Sequence, residues 1–232
     1  ERAVKFLNNN QSKDKIFSIS ALNENIQTLD SLAGISATAS LEAGEVDGET
    51  DVILEIEDQK KITGSFTADN HGSRSSGRGR ASTLINVNSA LHMGETITFQ
   101  NVYTYGSNYY SLGVSGPIGY KGVTASLRGS VMDYNLGTPL KSTEPQGDSK
   151  EISLSLNFPT ITYKNLTGSF SFGASFNEYL NRTTSGVTSE KTNLKSNLDI
   201  NLGLVDNFLG GGLNAISLSF AHGEIDLGNN RS

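Results

Sequence analysis

The sequence contains no cysteine and no tryptophan, and only four prolines and two methionines in 232 residues. Without cysteine there is no disulfide framework, no thiolate metal site and no cysteine nucleophile. Tryptophan commonly sits at membrane–water interfaces, and in its absence the eight tyrosines are the residues left to fill that place. No apolar run approaches the roughly 18 to 20 residues of a membrane-spanning helix. That excludes an α-helical membrane protein but not a β-barrel, whose strands show only half their side chains to lipid. Charged residues make up 18% and the net charge is −6, which gives no basic surface for nucleic acid. Hydrophobic residues reach only 35%, yet ten phenylalanines and eight tyrosines argue against disorder. No signal peptide opens the chain; the run Glu1 to Leu7 reads as the middle of a domain, and a longer parent protein is expected.

The first sixty residues differ from the rest. Val4 and Leu7 suggest a short amphipathic helix stopped at Asn8, Asn9 and Asn10. A second helix is expected with Ser20 as N-cap and Leu22, Ile26, Leu29 and Ala33 at helical spacing, closed by Gly34. Two strands follow, 35–41 and 51–57, around a turn containing Gly44, Asp47 and Gly48. Domain boundaries are therefore expected at 1–60, a small α+β module, and 61–232, an all-β region.

From Lys61 the chain repeats strand, turn, strand, loop, with no helix signal. Ile152, Leu154, Leu156 and Phe158 alternate with Ser153, Ser155 and Asn157; Phe170, Phe172, Ala174 and Phe176 alternate with Ser171, Gly173 and Ser175. The polar face is small and neutral, as suits a crowded wet barrel interior rather than the Lys- and Glu-rich outside of a soluble sheet. Nine strands are expected, at 61–70, 78–87, 95–105, 109–116, 122–134, 150–158, 166–180, 191–204 and 213–225. Many run about ten residues, near the ~9 to 11 that cross a bilayer when tilted. Compact turns at 89–94, 116–120 and 206–210 alternate with polar loops at 72–77, 136–149 and 181–190. An odd strand count suggests further strands in the parent. Alternating strands with Gly/Ser turns also describe a soluble β-sandwich or a surface adhesin.

No catalytic set emerges. His71, His92 and His222 lie in or beside expected loops and turns, far apart, without metal-ligand spacing. The glycines at 77 and 79 and at 210–212 lack the strand-to-helix setting of a phosphate loop. No enzyme activity, cofactor or small-molecule substrate is expected. Arg80, Arg128, Lys195 and Asp199 stand out as charged residues on the small-polar face, where a barrel would make them pore-lining.

The stretch from Ile62 through Asp69-Asn70-His71-Gly72-Ser73-Arg74 to Gly77-Arg78 resembles the first barrel strand and loop of two-partner secretion transporters of the hemolysin-activator type. Leu29 to Ile35 and Leu41 to Glu45 are similar to the end of that family's second POTRA domain, with Ala33 where the family usually has proline. Met132 to Gly137 and Ser219 to Leu227 are similar to later outward strands. The resemblance implies a mostly β fold: a partial transmembrane antiparallel β-barrel preceded by a partial α+β POTRA domain. It implies a bacterial outer-membrane pore, its N-terminal domain in the periplasm, exporting a large unfolded exoprotein and touching outer-membrane lipid. It also implies a client-receiving edge strand at Ile35, Ser36, Ala37, Thr38 and Ala39, used by strand addition. A barrel insertase of the same superfamily is the alternative within this resemblance. The family's lumen-loop tetrapeptide is absent; Leu127-Arg128-Gly129-Ser130 lacks its aromatic residue.

Overall fold

A computed structural model describes residues 2–7, 18–44, 46, 49–137, 144–163, 165–184, 186–206 and 210–228. The expected helix stop at Asn8 to Asn10, the turn residues Asp47 and Gly48, and the centres of the 136–149 and 206–210 connections lie outside these residues.

The N-terminal module holds α1 (Arg2–Leu7), α2 (Ile19–Asp30), β1 (Ile35–Ala43) and β2 (Thr50–Asp58). Helix α2 starts two residues earlier than the sequence suggests. Ser18, with extended backbone (φ −111°, ψ 110°), is the N-cap, and its Oγ accepts the Ala21 N–H. Ser20 lies inside the first turn, its backbone already helical. Leu22, Asn25 and Leu29 face inward, and the Asn25 amide donates to the Leu7 carbonyl at 2.7 Å, joining the two helices. Phe6, Leu29 and Ala37 form the small buried core of the module. Burying one such large side chain contributes roughly 1.5–3 kcal/mol. Ala33 is not helical; the helix ends at Asp30, and Gly34 supplies the left-handed residue (φ +82°) of the turn into β1.

The remaining strands form one antiparallel meander: β3 (Ile62–Asp69), β4 (Arg80–Asn88), β5 (Thr96–Thr104), β6 (Ser107–Pro117), β7 (Thr124–Asn135), β8 (Gln146–Tyr163), β9 (Leu166–Thr183), β10 (Gly186–Asp206) and β11 (Gly212–Asp226). All nine expected strands are present. β3 and β11 are the two edges, so the sheet is not closed into a barrel within this chain.

Residues paired across antiparallel strands project to the same face. Leu127, Leu154 and Ala174 share one face, as do Leu156, Phe172, Leu198 and Phe220. The expected alternation is therefore continuous from strand to strand. Phe158 and Phe170 stack on that face with ring centroids 4.6 Å apart.

The 181–190 segment departs from expectation. It is not a loop but the tip of the β9–β10 hairpin, with Leu180 paired to Glu190 and Tyr179 to Lys191. Its polar composition imitates a loop, but cross-strand bonds hold it extended. Arg182 pairs with Asp148 at 2.6 Å, and the Tyr134 hydroxyl donates to Asn181 Oδ1 at 2.6 Å. Gly147 leaves room for that tyrosine, because a Cβ there would meet its hydroxyl at 2.7 Å. The 136–149 loop is likewise shortened, since β8 begins at Gln146. Strands β8 and β9 reach 18 residues and β10 reaches 21, well beyond the ~9 to 11 needed to cross a bilayer.

The module packs against the sheet end that carries the β4–β5 and β6–β7 turns. The rings of Phe6 and Tyr120 meet edge to face at 5.0 Å. The Ala33 N–H donates to the Gly94 carbonyl, and a Cβ on Gly94 (φ +76°) would press on Leu32 at 3.0 Å.

Candidate functional site

Three surfaces bear on function. The first is the expected receiving strand. Ile35, Ser36, Ala37, Thr38 and Ala39 begin β1, which pairs with β2 on one side only among the described strands. That edge is not uniformly open. Asp30, at the C-terminus of α2, accepts the Ala37 N–H at 2.8 Å and the Ser36 hydroxyl at 3.0 Å. Those two donors hold the Asp30 carboxyl below its ordinary range. Sequence reasoning missed Asp30, because nothing in its spacing shows that the chain turns back to place it beside Ala37.

The second is the polar face of the meander. Arg80, Arg128, Lys195 and Asp199 all project to it, as the register requires. Thr63, Asn86, Thr98, Gly113, Arg128, Ser153, Ser175, Lys195 and Gly223 form one lateral row across all nine strands. Arg128 and Lys195 thus stand on one row, three strands apart, or roughly 14 Å at ~4.8 Å per strand. Among the described residues neither belongs to an ion pair. Asp199 lies on the same strand as Lys195 but does not pair with it; it accepts from the Asn197 side chain at 2.5 Å. Arg80 stands apart at the loop end of β4, paired with Asp69. Between these charges the face is knit by neutral bonds, Thr98 to Asn86 at 2.9 Å, Ser171 to Asn157 at 2.8 Å and Ser217 to Asn201 at 2.9 Å. This wall presents polar groups along its length, with Arg128 and Lys195 unpaired among the described residues and set apart from each other.

The third is the pair of sheet ends. At the far end the 70–79 loop, which carries the most specific sequence motif, is folded down rather than loose. Ser73 Oγ accepts the Ser76 N–H at 3.0 Å, while the Ser75 and Ser76 carbonyls accept from Gly137 and Gly106. At the module end Glu95 is buried, and its carboxylate accepts the Leu91 and Met93 N–H groups of the β4–β5 turn. Burial pushes its carboxyl up, but the N–H donors of Leu91, Glu95 itself and Met93, with His92 nearby, more than reverse that and leave it below its ordinary value. His71 and His92 sit at opposite ends of the sheet. His222, expected near a turn, lies inside β11 opposite Ser196. Among the described residues no cluster of acids and histidines suits a metal ion.

Residues 48–231 match the model of the haemolysin secretion/activation protein ShlB/FhaC/HecB family. The chain belongs to this family. Its relatives include the heme/hemopexin transporter protein HuxB of Haemophilus influenzae, 29% identical over 156 residues, which covers 65% of this chain and 26% of that protein. In structure it superimposes on CdiB from Escherichia coli with a TM-score of 0.77 at 18% identity, over 96% of this chain and 42% of that one. CdiB from Acinetobacter baumannii gives 0.76 at 16% identity, over 96% and 43%. This member of the ShlB/FhaC/HecB family thus spans about a quarter of the curated relative and less than half of either solved structure. The structural likeness carries the fold, an antiparallel sheet of the outer-membrane barrel type, and the family match carries the kinship.

Proposed function

We propose that this chain supplies part of an outer-membrane pore that exports a large, unfolded exoprotein by two-partner secretion. The observation that carries the reading is the two-faced meander: one continuous apolar face, the other built of serine, threonine, asparagine and glycine, in a member of a haemolysin secretion family. In this reading the apolar face touches lipid, and Tyr103 and Tyr110, exposed on that face near its loop end, serve as interfacial anchors. Beyond Ile152 and Phe176 the same face turns mainly charged, with Asp148, Lys150, Glu178, Arg182 and Glu190 around Leu180 and Val187, so the long ends of β8, β9 and β10 stand above the bilayer. The opposite face lines the conduit, with the cations Arg128 and Lys195 at mid-height and the acids Glu151 and Asp199 on nearby rows.

The N-terminal module is assigned to the periplasm as the end of a POTRA domain, its β1 edge receiving the client as an added strand. Export of this kind needs no covalent chemistry from the chain. Deleting the gene should abolish the exoprotein in the medium while leaving other outer-membrane barrels at normal abundance. Undiminished export would refute the reading, and a general loss of barrels would replace it with an assembly role.

A further inference from the structure

The backbone of β1 shows where a strand can be added. Gln59 N–H donates to the Gly34 carbonyl at 2.9 Å, so the pairs Ser36–Glu57, Thr38–Glu55 and Ser40–Ile53 exchange backbone bonds with β2. The alternate residues Ala37, Ala39, Leu41 and Ala43 therefore turn their N–H and C=O groups outward, to the edge that no described strand pairs. Asp30 occupies the first of these, the Ala37 N–H. No described residue takes the amides of Ala39, Leu41 or Ala43.

The solvent face beside that edge is acidic. Glu42 pairs with Asp51, Thr38 with Glu55 and Ser36 with Glu57, and neither β1 nor β2 holds a lysine or arginine. An incoming strand would place alternate side chains next to this face and the others toward the apolar side of Ala39 and Leu41.

We propose that Asp30 is a register stop: an extended client segment with basic residues on its outward side adds to the 39–43 half of β1 and ends where the Asp30 carboxylate holds Ala37. The inference rests on the secretion reading above, and it locates the receiving edge nearer the β1–β2 turn than 35–39. A client strand reaching Ala37 must displace a charged acceptor from a backbone donor, and Asp30 has no other amide to turn to among its present partners. Such an anchored charge is a common protection of a sheet edge, here covering only one half of it.

The chain contains no cysteine, so an introduced one is unique in it. Ser36→Cys and Ser40→Cys would be placed separately in the full-length protein, purified in detergent so that the N-terminal module is open to added peptide. The probe is a short alternating valine–lysine peptide carrying one cysteine, and the readout is disulfide cross-linking. The Ser40→Cys protein should cross-link about tenfold more than Ser36→Cys, the ratio of a site inside the ladder to one beyond its end. Adding Asp30→Ala should raise Ser36→Cys to the Ser40→Cys level. Asp30→Asn, which keeps an acceptor oxygen, should not. A heat-modifiable gel shift checks that each variant is folded. Equal cross-linking at both positions with Asp30 intact would overturn the stop but leave strand addition standing. No cross-linking at either would overturn strand addition at β1, whereas export itself is tested separately by the gene deletion. A valine–glutamate peptide reacting as well as valine–lysine would overturn the basic client.

Discussion

Asp69 and Arg80 are partners across the loop end of the β3–β4 hairpin, and their side chains close it with an ion pair at 2.9 Å. Asp69 also accepts the His71 N–H at 2.9 Å, so one carboxylate ties the far strand and the start of the loop together. Arg80 is 39% exposed, which discounts the pair. Arg80→Ala is expected to raise the open population of the 70–79 loop about two- to fivefold. The rate of nicking by added protease at that loop measures this, and an unchanged rate would show the pair to be ornamental.

Glu95 organises the β4–β5 turn against which the module packs. Its carboxyl lies below its ordinary value near 4.5 when folded. Its contribution is therefore full above that value and is lost as the pH falls through the lower, folded one. Acid titration should release the Leu91 and Met93 amides together, seen as faster hydrogen exchange at low pH. Glu95→Ala should bring about the same release at neutral pH, at a cost of about 1 kcal/mol, because the two donors belong to exposed turn residues that water can reach. A turn indifferent to both would deny the carboxylate its role.

The Phe6–Tyr120 contact couples the module to the β6–β7 turn. Phe6 is fully buried, so Phe6→Ala should cost about 3–5 kcal/mol and loosen the module's own core as well. Tyr120→Leu keeps apolar area and removes the ring pair, which is worth about 0.5–1.5 kcal/mol. Spin labels on α2 should report greater motion relative to the sheet in the Tyr120→Leu protein with the module still folded. Identical spectra would place the coupling at other contacts of the module, such as Leu32 with Gly94 and Gly34 with Ser89.

The two faces of the meander should answer differently to charge. Leu198, between Phe172 and Phe220, is at mid-height of the apolar face. Leu198→Arg is expected to destabilise the membrane-inserted protein by about 2–4 kcal/mol. Ser175→Arg, on the opposite face between Ser153 and Lys195, should fold normally and increase anion preference. Denaturant titration in lipid and reversal potentials in planar bilayers separate the outcomes; equal damage from both would refute the assignment of faces.

Much of the sheet was legible because side-chain direction in a strand is a local property. Successive Cβ atoms alternate, so Ile152 to Phe158 and Leu194 to Leu204 declare their faces within one strand. The helix cap was harder: Ser18 and Ser20 are chemically equal candidates, and only the extended backbone at Ser18 selects between them. The 181–190 hairpin was hidden because its mostly polar residues form no apolar stripe, and its partners lie on β7 and β8.

By itself the sequence determined where nine strands lie, short of the loop-end extensions of β8, β9 and β10, which side of each is apolar, and the kinship announced by the run from Asp69 to Arg78. The tertiary structure alone decided that Arg128 and Lys195 share a row, that Asp199 turns to Asn197, and that Asp30 reaches Ala37. Alternation is dictated residue by residue by the backbone, whereas register and chain reversal depend on which distant strand or helix end comes to lie alongside.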